Sequence, residues 1–137
     1  MLQNPKDLAA MNDLATQYVR LGDYRHAILV AETALEQVDG ADPATRAALY
    51  NTLGVAHCYC GEDQIAKDVF QKALAQDPEH LAARVNLAGL FQQYEHVEKA
   101  QALYASVGLT QHLDGDHDLI HPRSQELYHA FASSARL

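Results

Sequence analysis

The 137-residue chain has no tryptophan, four lysines, two cysteines and no long apolar run. Each scarcity excludes something. No apolar stretch approaches the ~20 residues that a membrane-spanning helix needs. The opening MLQNPKDLAAMNDLA has neither the basic start nor the apolar segment of a secretory leader, although removal of a leader ahead of it stays open. Ten basic against eighteen acidic residues give a formal charge of −8. That balance argues against nucleic acid, whose phosphates are met by clustered Lys and Arg, and against anionic membrane surfaces. Cys58 and Cys60 are two apart, so on a helix they point about 200° away from each other and do not pair. With no disulfide framework, a reducing, cytoplasmic setting is expected.

The remaining composition is that of a folding chain. Hydrophobic residues are 48% and charged residues 20%, which suits one domain with a real core.

The chain repeats itself. Leu53-Gly54 matches Leu14-Ala15 upstream and Leu87-Ala88 downstream. Gly61 matches Gly22, Ala66 matches Ala27 and Ala100, Phe70 matches Ala31 and Tyr104, and Ala73 matches Ala34 and Val107. The offsets are always 39 residues upstream and 34 downstream. The prolines fall in Asn4-Pro5, Asp42-Pro43, Asp77-Pro78 and His121-Pro122. Asn or Asp before Pro suits a helix start, because the side chain caps free N–H groups and proline fits the first turn. Each proline is therefore expected to open a helical segment.

These signals predict helix pairs over about 6–21 and 24–38, 44–60 and 63–76, and 79–94 and 97–107, with a last helix over 122–135. Gly22 and Gly61 suit left-handed turns inside the first two pairs. Glu95 at the third position predicts a turn of different geometry. Ala15, Gly54 and Ala88 are expected where the paired helices cross, opposite Ala27, Ala66 and Ala100, with Leu14, Leu53, Leu87, Phe70 and Tyr104 filling the space around them. Such pairs cannot bury their faces alone and must stack.

The segment Tyr50-x-x-Leu53-Gly54-x-x-His57, followed by Ala66-x-x-x-Phe70-x-x-Ala73 and Pro78, resembles the tetratricopeptide repeat. Unit one carries Met11, Leu14, Ala15, Tyr18, Ala27, Ala31 and Ala34. Unit three carries Leu87, Ala88, Phe91, Ala100 and Tyr104, with Arg84 where an aromatic is usual. The resemblance covers about 8–111. It implies an all-α, right-handed helical-hairpin solenoid of about seven helices, with hairpins over about 8–41, 47–80 and 81–114. A polar loop over 108–121 and a capping helix over 122–137 complete it.

The resemblance also places a concave groove on the first helices. Its residues would be Asn12, Asp13, Thr16 and Arg20 from unit one, and Asn51, Thr52, Val55, Cys58 and Tyr59 from unit two. Unit three would add Val85, Asn86, Gly89, Gln92 and Gln93. Amide side chains can hold the backbone of an extended peptide through paired donors and acceptors. The expected function is a protein-interaction module, an adaptor or chaperone-like binder of a protein or peptide, with no catalysis and no cofactor. Family members that hold acidic chaperone tails use a Lys, Arg and Asn clamp. Here Thr16, Thr52 and Ala82 stand at clamp positions, so a tail ending Glu-Glu-Val-Asp is not an expected ligand.

Two stretches invite a chemical reading. In His57-Cys58-Tyr59-Cys60, His57 falls where the repeat carries an aromatic, aligned with Tyr18 and Phe91. It reads as a core substitution bonded to a polar neighbour, with the cysteines as small fillers. A metal site from His57 and Cys60 would have two ligands where structural zinc wants four. Cys58 is expected to face the groove as an accessible thiol. Residues 112–121, HLDGDHDLIH, hold three Asp and three His. The weak metal candidates are His112, Asp114, Asp116, His117, Asp118 and His121. An EF-hand reading fails at Leu119, where glycine is needed, and at Gln125, where glutamate is needed. The alternative functions are a metal-responsive module using this loop and a self-associating scaffold. No nucleophile motif or phosphate loop supports an enzyme.

The last helix carries Leu127, Phe131 and Ala135 at helical spacing beside Tyr128. This stripe is expected to be buried on Leu103, Tyr104 and Val107. The other possibility is that the helix lies in the groove as a mimic of the ligand.

Overall fold

The computed structural model describes residues 7–37, 42–107 and 118–135. Among these, all regular structure is helical, in seven helices: α1 Leu8–Arg20, α2 Tyr24–Leu35, α3 Pro43–Tyr59, α4 Asp63–Gln76, α5 Leu81–Gln93, α6 Val97–Val107 and α7 Pro122–Ala135. The expected pairs are present, α1 with α2, α3 with α4 and α5 with α6, and each hairpin packs on the next through α2–α3 and α4–α5.

Helix starts follow the capping chemistry, with one correction. Asp42 accepts the Thr45 N–H at 2.6 Å and Pro43 fills the first turn of α3. Asp7 and Asp23 cap α1 and α2 in the same way. Asp77-Pro78 does not open α5. Asp77 instead ends α4 and accepts the Glu79 N–H, and α5 starts after His80, whose ring Nδ1 accepts from Ala83 at 3.2 Å. Asn4-Pro5 lies outside the described residues.

A second correction concerns the turns. Glu95 has φ 67°, in the same left-handed region as Gly22 at 82° and Gly61 at 76°. The bonds also match. Asp23, Glu62 and His96 donate their N–H groups to the carbonyls of Tyr18, His57 and Phe91. The closing bonds of the repeat impose the turn, and unit three adopts it without glycine. A side chain in this region costs on the order of 1 kcal/mol.

The hairpin crossings depend on small residues. A Cβ added at Gly54 would overlap the Phe70 ring, itself fully buried. Ala15, Ala27, Ala66, Ala88 and Ala100 are buried around the equivalent crossings. Leu53, Leu87 and Tyr104 are buried as expected, but Leu14 remains 39% exposed. Its counterparts belong to hairpins that stack on a preceding one, and among the described residues none precedes α1. Arg84, in place of an aromatic, is buried. Its guanidinium donates to the Ser106 carbonyl at 2.6 Å and the Glu79 carbonyl at 2.8 Å, joining the start of α5 to the end of α6.

Candidate functional site

The first helices bring two amides together. Asn51 on α3 and Asn86 on α5 are both 0% exposed, and Asn86 Nδ2 donates to Asn51 Oδ1 at 2.9 Å. Asn51 aligns with Val85 in the repeat, so the amide of unit three is shifted by one position. That shift lets both side chains reach one backbone group. Asn51 Nδ2 and Asn86 Nδ2 donate to the Leu119 carbonyl at 2.8 and 3.0 Å. Asn86 Oδ1 then accepts the His121 N–H at 2.9 Å. The amide orientations follow from this network, which pairs every polar atom of the Asn86 side chain.

The backbone so gripped belongs to the chain itself. Residues 118–121 run non-helically into α7, and side chains flank the grip on both sides. At one end Asp118 Oδ2 lies 3.3 Å from His80 Nε2. Because His80 Nδ1 already accepts from the α5 backbone, the proton of the neutral ring sits on Nε2, facing the carboxylate. At the other end the His121 ring packs on Tyr59, with centroids 4.7 Å apart, and Tyr59 stacks on Tyr24 at 4.5 Å and 3°. His121 Nδ1 accepts from Arg123 N at 3.2 Å. Burial, then the Arg123 charge, lowers the His121 pKa, while Asp63 opposes the shift.

α7 continues along α5. Ser124 is buried on Gly89, where an added Cβ would stand 2.9 Å from the Ser124 Cβ. Arg123 lies 3.9 Å from Asp63 Oδ1, and Asp63 Oδ2 accepts the Tyr94 hydroxyl at 2.6 Å. That hydrogen bond raises the Tyr94 pKa. The α7 face differs from the expected one by one residue. Tyr128 and Ala132 are buried in line with Ser124, while Leu127 and Phe131 are half-buried. The close approach at Gly89 admits only a small residue, which turns the serine face inward. The expected seat on α6 is a correction: α7 packs mainly on α5, and of the expected α6 partners Tyr104 stacks on Phe131 at 4.8 Å.

The other expected groove positions divide by unit. Asn12 accepts from the Thr52 hydroxyl at 2.7 Å, joining units one and two. Thr16, Val55 and Val85 are buried, Gln92 is half-buried, and Asp13, Arg20 and Gln93 are exposed. Cys58 is a correction. It is 8% exposed, and burial pushes its thiol pKa up to about 12, so it is a packed filler rather than an accessible thiol. His57 is the core substitution expected. It is buried, and its Nδ1 lies 3.0 Å from Glu62, whose carboxyl this bond holds below its usual range.

Of the metal candidates, His112, Asp114, Asp116 and His117 lie outside the described residues. Asp118 lies against His80, and His121 against Asn86 and Tyr59. Among the described residues no three His, Cys, Asp or Glu side chains are placed to hold a metal ion, and no helix is long and apolar enough to cross a membrane.

Sequence reasoning raised the last helix as an occupant of the expected groove and His121 as a metal candidate, but it did not foresee the contacts through Leu119, His121 and Ser124 or the supports His80, Asp63 and Arg123. Gly89 was the available signal, since a glycine inside a helix often marks a close approach.

Comparison with known proteins agrees with the helical-hairpin fold. A tetratricopeptide repeat family model matches residues 64–118. The uncharacterized protein ycf37 of Porphyra purpurea is 32% identical over 82 residues, covering 60% of this chain and 46% of the relative. Its namesake in Pyropia yezoensis is 35% identical over 61 residues, covering 44% of this chain and 34% of the relative. The chain thus spans less than half the length of these relatives. Together with the repeated crossings and the three like turns, the match over residues 64–118 makes the chain similar to the tetratricopeptide repeat family in sequence and in helical-hairpin fold.

Proposed function

We propose that the chain is a non-catalytic adaptor that holds an extended segment of a protein partner in its concave groove. The observation that carries this is the Asn51–Asn86 pair, which grips a backbone carbonyl and, two residues on, a backbone N–H. An amide that accepts and donates to alternate backbone groups suits any extended chain, whatever its side chains. The polar groove and the net charge of −8 fit a protein ligand better than nucleic acid.

The test is site-specific photocrosslinking in the source cell. A crosslinker at Gln93, on the groove helix of unit three, should capture a defined partner that one at the exposed Ile65 of α4 does not. Capture from Ile65 alone would place the interaction on the other face and end the reading.

A further inference from the structure

We infer that the groove of units two and three is selective for one peptide pattern, and that the chain's own Asp118–Ser124 occupies that site in cis. The pattern is an acidic residue, two apolar residues, a histidine or aromatic residue, proline, a basic residue and a small residue. The inference rests on the groove reading above and names its ligand class.

Each position has a physical reader. His80 is buried, and its Nε2, which makes no hydrogen bond among the described residues, lies 3.3 Å from the Asp118 carboxylate, so an acidic residue suits the first position. Leu119 and Ile120 are half-buried against the core, which makes the second and third apolar. Tyr59, backed by Tyr24, takes the His121 ring, and any flat ring fits the same face. Pro122 opens α7, turning the ligand from extended to helical. Asp63 faces Arg123, and its Oδ1 is buried with no hydrogen bond among the described residues, a position that favours a cation. Gly89 fixes the last position as small, because Ser124 already meets the limit of approach.

The backbone bonds from Asn51 and Asn86 supply grip without sequence preference, and these flanking positions supply the choice. A partner segment of this pattern would displace Asp118–Ser124 and leave the repeats intact.

The experiment uses the full chain and a fluorescent peptide with the sequence Asp-Leu-Ile-His-Pro-Arg-Ser. His121→Pro removes the N–H and the ring that seat the internal segment while leaving the groove residues unchanged. The peptide should bind this variant at least tenfold more tightly than the unaltered chain, read by anisotropy. A peptide with leucine in the seventh place should lose that gain, because Gly89 leaves it no room. If far-UV dichroism shows that His121→Pro is not folded, Arg123→Ala weakens the same segment from the other side and should show the same order. Equal binding to altered and unaltered chains, or undiminished binding of the leucine peptide, overturns the proposal. If neither variant binds the peptide while Gln93 still captures a partner, the pattern is wrong and the groove reading survives.

Discussion

On α1 the expected groove positions Asp13 and Arg20 are exposed, and among the described residues Asn12 bonds across the repeats only to Thr52. On α3 and α5 the amides are sealed beneath 118–124. Both regions come from the same repeated helix, and the offsets that align Asn12 with Asn51 say nothing of the difference. What separates them is the one-position shift of Asn86. It lets two amides converge on one carbonyl, and the bulk of the chain's last segment then covers them. A repeat sets where the side chains stand, and a substitution one place off the repeat sets what they hold.

The largest effect should come from removing the shifted amide. Asn86→Ala strips partners from the His121 N–H and from Asn51 Oδ1, both deep in the groove. Each buried group left unpaired costs about 1–3 kcal/mol, so urea denaturation should show a loss of about 2–6 kcal/mol. Asn12→Ala, on the open side, should cost no more than about 1 kcal/mol. Equal losses would erase the contrast between the two regions.

The next effect concerns packing. Gly54→Ala drives a methyl into the Phe70 ring and should cost about 1–3 kcal/mol, whereas unit one already carries Ala15 there, opposite the small Ala31. Thermal melts of Gly54→Ala and Ala15→Gly would check the pair. The second should lose only the helix-propensity difference and the buried methyl, about 1 kcal/mol each.

The turns give a gain rather than a loss. Glu95→Gly relieves a left-handed side chain and should stabilise the chain by about 1 kcal/mol, while Gly61→Ala should destabilise it by a similar amount. Opposite signs in the two midpoints are the test.

The smallest effect is one of pH. His121 is seated with a pKa below the ordinary value near 6.5, so the seated form binds fewer protons than the released one. Seating is therefore strongest above about 6.5 and weakens as pH falls through 6.5 toward the lowered value. Protonation at Nδ1 also removes the acceptor for Arg123 N. Around the ring, Tyr59 is neutral, Arg123 opposes protonation and Asp63 favours it. The protection of the amide at residue 121, taken relative to its intrinsic exchange rate at each pH, should fall between about pH 7.5 and 5.5, and His121→Asn should abolish the change.

Much of the fold was legible because the repeat dictates backbone geometry. The 34-residue offset, the small residues at Gly54 and Ala66, and Asp42-Pro43 each had one structural outcome. Glu95 misled because its own preference for right-handed backbone is weaker than the closing bonds of the turn. Asp77-Pro78 misled because a capping pair can end one helix as readily as begin another.

The site was half legible. Register placed both amides on first helices, but their common partner lies 33 residues beyond Asn86, at Leu119, and no local pattern encodes that distance. The exposure of Cys58 was misjudged for the same reason, since register gives a side chain's direction and not what later covers it. The apolar stripe of α7 was read one residue out because Phe131 outweighs Ser124 in hydrophobicity, whereas Gly89 selects on size.

Tethering has a consequence for regulation. A segment carried on the same chain competes at an effective concentration on the order of millimolar when its link is short and flexible, and that value does not fall when the protein is diluted. Any outside ligand with the same contacts would have to exceed that concentration to win half the grooves. Brief, weak encounters with look-alike sequences would then leave the groove closed, and only a partner that is abundant, pre-assembled, or endowed with contacts beyond these seven residues would open it. The asparagine pair, by gripping its own chain, would set a threshold for occupancy as well as a binding site.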